Sequence, residues 1–151
     1  MAGVKVAVAL LVAVLVLGPA GCTSEPLPPE PDRSWLAMAP GDTRTFAGPG
    51  GELVLIYVDE TYDVDGTYAS ALTWKLGDDY TTDYFVEDDD GTLWWYGRKG
   101  SWRAGRHGEE PREVDIVDHH ARFGDRVITL AEDNRPVRVQ TPDGTYPADP
   151  P

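Results

Sequence analysis

Residues 83–97, DYFVEDDDGTLWWYG, contain two aromatic runs separated by an acidic turn that ends in Gly91. Aromatic residues are favoured in β-strands, and an Asp-Gly pair supplies the positive φ that tight hairpin turns need. The stretch therefore predicts a β-hairpin, and we expect the rest of the domain to be arranged around it.

The register of this hairpin depends on its turn. A two-residue turn would place Val86 opposite Trp95 and leave aromatic residues on both surfaces. A type I turn with Gly91 as a bulge would shift these pairs. The sequence therefore leaves open which tryptophan faces the core.

The aromatic residues of the hairpin and the cations beside them form a candidate binding surface. Trp102 lies between glycines that permit sharp turns, so we expect it to fold back over the hairpin as a lid. Exposed tryptophans beside arginines are typical of recognition surfaces. In the alternative that we favour, the rings fill the core of a disulfide-free domain and the arginines stack on them. The candidate binding residues are Trp94, Tyr96, Arg98, Trp102 and Arg103.

Two motifs follow the aromatic strand and its acidic turn, WWYG at residues 94–97 and GSWRAG at residues 100–105. Over residues 83–108 this pattern resembles a widespread group of small secreted or lipid-anchored bacterial domains. The resemblance implies a β-rich fold and names no catalytic residues. The chain departs from the group at Arg98, where an acid is usual, and it lacks a cysteine that some members carry upstream.

Residues 1–21 predict a bacterial lipoprotein signal peptide. A basic start precedes an unbroken apolar run at residues 6–17, which is shorter than the ~20 residues of a membrane span. Small residues stand directly before Cys22, which we expect to carry the lipid, with acyl chains such as palmitate. Pro19 departs from this processing motif, which usually has an aliphatic residue there, so cleavage without lipidation is the alternative.

The chain divides into four parts. After the signal peptide, residues 22–32 are rich in proline and acids and predict an extended tether. Residues 33–141 are predicted to form the β-domain, and residues 142–151 a proline-rich tail. Cys22 is the single cysteine of the 151 residues, so the domain has no internal disulfide. We expect the protein on the extracytoplasmic face of a bacterial cell membrane, attached through the lipid.

The acidic composition argues against nucleic acid as a partner. The chain carries 13 basic and 26 acidic residues, for a net charge of −13, and signal cleavage removes Lys5, which makes the balance more negative. Such a surface repels nucleic acid and anionic lipid. Its simplest explanation is an exported protein that stays dispersed.

Further strand candidates follow one another along the domain. Asp65-Gly66 marks a second hairpin, and the apolar run at residues 53–58 is typical of a central strand. No segment after the signal sustains helical periodicity. We therefore predict an all-β fold, a small antiparallel sandwich or partly closed barrel of about seven to eight strands. The candidates outside the aromatic hairpin are residues 43–47, 53–58, 68–74, 113–118, 126–130 and 136–140.

The acids and histidines give no strong metal motif. The turn at residues 88–91 lacks the acid spacing of a helix–loop–helix calcium site, although a looser site shared with Asp63 and Asp65 is conceivable. His107 and the DHH run at residues 118–120 form a histidine-bearing cluster. Adjacent histidines on a strand point to opposite faces, so we interpret them as solvated loop residues. We predict no metal and no cofactor.

No catalytic motif is present in the sequence. It has no nucleophile-elbow serine, no HExxH and no glycine-rich phosphate loop. We therefore predict a non-catalytic binding or interaction module of the cell envelope, whose ligand the sequence does not identify. The alternatives are a purely structural envelope protein and an envelope hydrolase that uses a carboxylate pair such as Asp83 and Glu87.

Overall fold

The computed structural model describes residues 34–148, which contain thirteen β-strands and no helix. The strands form two antiparallel sheets that pack face to face and do not close into a barrel. The predicted all-β sandwich is therefore confirmed. The signal peptide, Cys22 and the tether predicted from the sequence lie outside the described residues. Within them, no helix is available that could span a membrane.

The first sheet has eight strands, in the spatial order β1, β2, β4, β5, β6 and β7, with β3 beside β4 and β8 beside β6. The two long central strands, β4 and β5, face each other from Ser70–Phe85 to Leu76–Asp79. The strands are β1 (Thr43–Gly48), β2 (Gly51–Tyr57), β3 (Tyr62–Val64), β4 (Thr67–Leu76), β5 (Asp79–Glu87), β6 (Leu93–Arg98), β7 (Trp102–Arg103) and β8 (Arg112–Glu113).

The second sheet has five strands in the order β13, β12, β11, β10 and β9. Each of them pairs with its neighbour in the chain, so the sheet is a simple meander. A single bridge between Phe46 and Ala148 joins the edges of the two sheets. The strands are β9 (Ile116–Val117), β10 (His120–Phe123), β11 (Arg126–Leu130), β12 (Pro136–Thr141) and β13 (Gly144–Pro147).

The aromatic hairpin is formed by β5 and β6, and its turn contains the bulge. Phe85 faces Trp95 and Val86 faces Trp94, which is the register of the bulged turn and not of the two-residue turn. The N–H of Gly91 donates to the carbonyl of Asp88 at 2.8 Å. Gly91 has φ 86°, a value that a residue with a β-carbon rarely adopts. The turn chemistry therefore assigns Trp95 to the core and Trp94 to the opposite face.

The main core lies between the two sheets. Trp35, which precedes β1, packs edge-on against Phe85 with ring centroids 5.4 Å apart. The core is dominated by large apolar side chains from both sheets, including Phe46, Leu55, Leu72, Trp74, Phe85 and Trp95 from the first and Phe123, Ile128, Val139 and Tyr146 from the second.

A smaller apolar cluster covers the other face of the first sheet. Its buried members are Val64, Ala69, Ala71, Tyr84 and Ala104. The β3–β4 hairpin and the loop after β7 meet over it, where Gly105 lies so close to Asp65 that a β-carbon on the glycine would collide with the side chain of Asp65. The middle of β4, at residues 69–72, is therefore covered on both faces, which explains its run of small residues.

Three predictions about the strands need correction. The fold has more strands than the predicted seven to eight, because several are only two to four residues long. The single strand predicted at residues 113–118 is divided between the sheets, since β8 pairs with β6 and β9 with β10. The predicted boundary at residue 141 lies within the second sheet, because β13 pairs with β12 and its Tyr146 is completely buried.

Candidate binding cleft

The five candidate binding residues lie on both faces of the first sheet. Trp94 pairs with Val86, which packs against the smaller cluster, and Tyr96 packs there as well. The guanidinium of Arg103 lies 4.8 Å from the ring centroid of Tyr84 in that cluster. Arg98 and Trp102 lie on the side of the main core. The structure therefore does not bring the five residues together as one recognition surface.

Trp102 folds back onto the hairpin. Its ring lies edge-on to that of Trp95, with centroids 4.9 Å apart and planes at 82°. The guanidinium of Arg112 stacks on the outside of Trp102 at 4.0 Å. This arrangement, rings in the core with an arginine stacked above them, is the interpretation favoured from the sequence.

Asp83 lies at the centre of a buried polar network behind these rings. It is fully buried on β5 and faces Arg98 of β6. Its Oδ1 accepts from Nε of Arg98 at 2.8 Å and from Nε1 of Trp95 at 3.0 Å. Its Oδ2 accepts from Nε1 of Trp74 at 2.8 Å. Every oxygen of this carboxylate therefore has a donor, as a buried charge requires.

The same arginine connects the two sheets. From β6 in the first sheet, Nη2 of Arg98 donates to the carbonyl of Phe123 at 3.0 Å. Its Nη1 donates to the carboxylate of Asp125, in the turn between β10 and β11, at 2.7 Å. Arg98 thus supplies the counter-charge of Asp83 and an inter-sheet bridge.

Burial and pairing act in opposite directions on these groups. Burial raises the pKa of Asp83 above its usual value, although the hydrogen bonds from Arg98 and Trp74 oppose the shift. Burial also works to lower the pKa of Arg98, but its bonds to Asp83 and Asp125 outweigh this and raise the pKa. Arg98 therefore keeps its positive charge.

An open cleft of about 610 Å³ lies beside this network, between β8 and the β9–β10 hairpin. This volume is within the ~300–1,000 Å³ typical of ligand sites. A second opening, of about 500 Å³, lies beside β1 and has no aromatic residue in its lining. The lining of the larger cleft combines one tryptophan with charges of both signs: Trp95, Arg112, Glu113, Asp115, Val117, Asp118, His120, Arg122 and Gly124.

One wall of the cleft is a tight hairpin. Val117 faces His120 across a two-residue turn in which Asp118 and His119 both have positive φ, 49° and 63°. The N–H of Leu130 donates to the carbonyl of His119 at 2.7 Å, which holds this turn against the next strand. Val117 is 61% exposed, which is unusual for an aliphatic residue in a strand of this domain.

The opposite wall carries Arg112. Its guanidinium is held by stacking on Trp102 at 4.0 Å and by an ion pair with Glu109 at 3.0 Å. An arginine stacked on an aromatic ring loses part of its conformational freedom before any ligand binds. The cleft therefore presents a positioned cation and an exposed aliphatic side chain beside several acids, over the indole of Trp95, which is only 6% exposed.

The other residues considered from the sequence lie elsewhere. Glu87 accepts from Oγ of Ser34 and from the backbone N–H of Trp35, at 3.2 and 3.1 Å. It does not line the cleft, and neither does Asp83. Asp63 accepts from the N–H of Gly66 in its own turn at 2.9 Å. Among residues 34–148, no group of three or more histidines and acids is arranged to hold a metal ion.

Sequence reasoning missed most of the cleft. No sequence motif surrounds Arg112, Val117 or Arg122. They come close together because the chain passes from the first sheet to the second after Glu113. The adjacent aliphatic pair Ile116-Val117 between acids was the available signal. In a strand with one buried face, apolar and polar residues alternate. Because Ile116 and Val117 are adjacent, they point to opposite faces, and one of them is expected to face solvent.

Protein-family models, curated proteins and solved structures were each compared with the chain, and none of the three comparisons gave a match.

Proposed function

We propose that this protein is a non-catalytic binding or interaction module of the bacterial cell envelope. It is exported, processed at Cys22 and held on the extracytoplasmic face of the membrane by lipid on that residue. The β-domain then presents its cleft to a ligand or partner of the envelope. The resemblance to small exported β-domains agrees with this proposal.

The observation that supports the proposal most is the composition of the cleft. Arg112, Arg122 and the exposed Val117 line it together with a small exposed part of the core residue Trp95. Aromatic and arginine side chains contribute disproportionately to binding energy, and an exposed aliphatic beside them adds apolar contact area. The charges of both signs would give orientation and specificity.

The geometry favours binding over hydrolysis. The carboxylate pair considered for an envelope hydrolase is engaged in structural hydrogen bonds, Asp83 with Arg98 and two indoles, Glu87 with the segment before β1. A catalytic pair must present its oxygens to the substrate.

The experiment compares two charge insertions on the edge strands of the second sheet. Val117→Asp places a carboxylate in the cleft, whereas Thr145→Asp places one on the exposed face of β13, away from the cleft. Both variants are made in the full-length, tagged protein and purified from detergent-solubilised envelopes. We expect material that co-purifies with the parent to fall about tenfold with Val117→Asp and to be retained with Thr145→Asp. Equal recovery with both variants would contradict the proposal.

A further inference from the structure

The floor of the cleft is a close contact between the two sheets. Trp95 of β6 and Gly124 of the β10–β11 turn both line the cleft. A β-carbon on Gly124 would lie 3.0 Å from the Cη2 atom of Trp95. Gly124 has φ 62°, so the turn brings its bare backbone up to the indole. The position of this turn therefore sets the depth of the cleft.

Arg98 is hydrogen-bonded on both sides of the contact between Trp95 and Gly124. On one side, Arg98 and the indole of Trp95 donate to the same oxygen of Asp83, at 2.8 and 3.0 Å. On the other side, Arg98 donates to Phe123 and to Asp125, at 3.0 and 2.7 Å. These two acceptors are the residues immediately before and after Gly124.

We infer that Arg98 is a positioning residue for the cleft, a latch that holds the turn of Gly124 against Trp95 and so fixes the shape of the ligand site. This inference rests on the proposed use of the cleft. Loss of the latch lets the β10–β11 turn move away from Trp95 and admits water to the indole. The cleft then becomes wider and less well organised, which lowers affinity for its ligand.

The chain contains a matched control for the latch. Arg126 also connects the sheets, because it donates to Asp125 at 3.0 Å and to Oγ1 of Thr81 at 3.1 Å. The side chains of Arg98 and Arg126 are both 14% exposed. The side chain of Arg126 makes no hydrogen bond to Asp83 or to Phe123 among the described residues. Its removal therefore weakens the contact between the sheets without releasing both sides of the Trp95–Gly124 contact.

The experiment follows the indole N–H exchange of two tryptophans by NMR. Trp95 and Trp74 both donate to Asp83, but only Trp95 lines the cleft. In full-length labelled protein, Arg98→Gln should speed exchange of the Trp95 indole about tenfold relative to the Trp74 indole. Arg126→Gln should leave this ratio near that of the parent. If both indoles speed up together in Arg98→Gln, or if Arg126→Gln changes the ratio equally, the latch is refuted.

A second variant covers the case in which Arg98→Gln does not fold. Asp125→Asn alters an acceptor that is 52% exposed and leaves the Arg98–Asp83 pair intact. It should raise the Trp95 to Trp74 exchange ratio in the same direction, by about threefold. An unchanged ratio would overturn the inference. These measurements need no ligand, so they can fail while co-purification through the cleft succeeds, and the reverse.

Discussion

Trp102 packs edge-on against Trp95, with ring centroids 4.9 Å apart, and Arg112 covers its outer face. Trp95 of the aromatic hairpin belongs to the main core, and Trp102 of β7 packs against that core. Edge-to-face pairs contribute ~0.5–1.5 kcal/mol beyond the area they bury. The WWYG and GSWRAG motifs therefore supply tryptophans that cover the main core beside the cleft.

Trp102→Ala should lower the free energy of unfolding by about 3 kcal/mol. The substitution removes a large side chain that packs on the main core, and it uncovers Trp95. Trp94→Ala is the control, because Trp94 belongs to neither apolar cluster, and it should cost about 1 kcal/mol. Urea unfolding of the two variants gives the comparison. Similar losses for both would show that Trp102 has no special role in the core.

Gly91→Val should destabilise the domain by ~1–3 kcal/mol through backbone strain alone. Gly91 has φ 86°, and a β-carbon there would meet nothing within 4 Å, so no steric clash contributes. Asp89→Ala, in the same turn, removes an exposed carboxylate and should change stability by less than about 0.5 kcal/mol. Thermal melts of the two variants test this order, and a Gly91→Val protein as stable as Asp89→Ala would contradict the assigned turn.

Asp125 should give a pH-dependent contribution to stability. Slight burial opposes its ionisation, but the hydrogen bond and charge of Arg98 outweigh this and lower the pKa of Asp125 below its ordinary 3.8. Because folding lowers this pKa, the stabilisation is complete above the unfolded-state pKa and disappears as the pH falls through the folded-state pKa.

The test compares the parent with Asp125→Asn in urea at several pH values. Because Asp125 is half exposed, its stabilisation near neutral pH should not exceed about 1 kcal/mol. The difference between the two proteins should shrink below pH 3.8. A difference that widens on acidification would have the wrong sign for this ion pair.

Cys22→Ala should release the protein from the membrane fraction or block its maturation. The described residues contain no helix that could span a bilayer, and two or more acyl chains provide stable anchoring where one does not. Mass spectrometry of the mature N-terminus checks the attachment. An unmodified N-terminus at a residue other than Cys22 would show that the protein is anchored differently or not at all.

The parts of the fold that local chemistry determines were predictable. The Asp-Gly turns at residues 65–66 and 90–91 both connect antiparallel strands. The apolar run predicted at residues 53–58 lies in β2 as far as Tyr57, and β2 has a neighbour on each side. These features depend on φ preferences and on the alternation of side chains along a strand. The register of the aromatic hairpin was narrowed to two possibilities, because one glycine can serve as a turn residue or as a bulge.

Features that depend on distant residues were not predictable. Arg98 was assigned either to a binding surface or to stacking on the aromatic rings. Its bonds to Phe123 and Asp125, which lie 25 and 27 residues away in the chain, were not predicted. Tyr146 lies in a proline-rich stretch that resembles a tail, yet pairing with β12 buries it. The cleft lies between β8 and β9. Each of these strands has two residues, which is too short for a periodic pattern in the sequence.

The most direct test of the central claim, that the cleft is the binding site, is photo-crosslinking in living cells. A benzophenone amino acid replaces Val117 in the cleft or, as the control, Thr145 on the far edge of the same sheet, in the full-length protein that retains Cys22. Irradiation followed by mass spectrometry of the tagged protein identifies any adduct. The account predicts a discrete adduct from position 117 and none from position 145. The same adducts from both positions, or none from position 117 in correctly anchored protein, would contradict it.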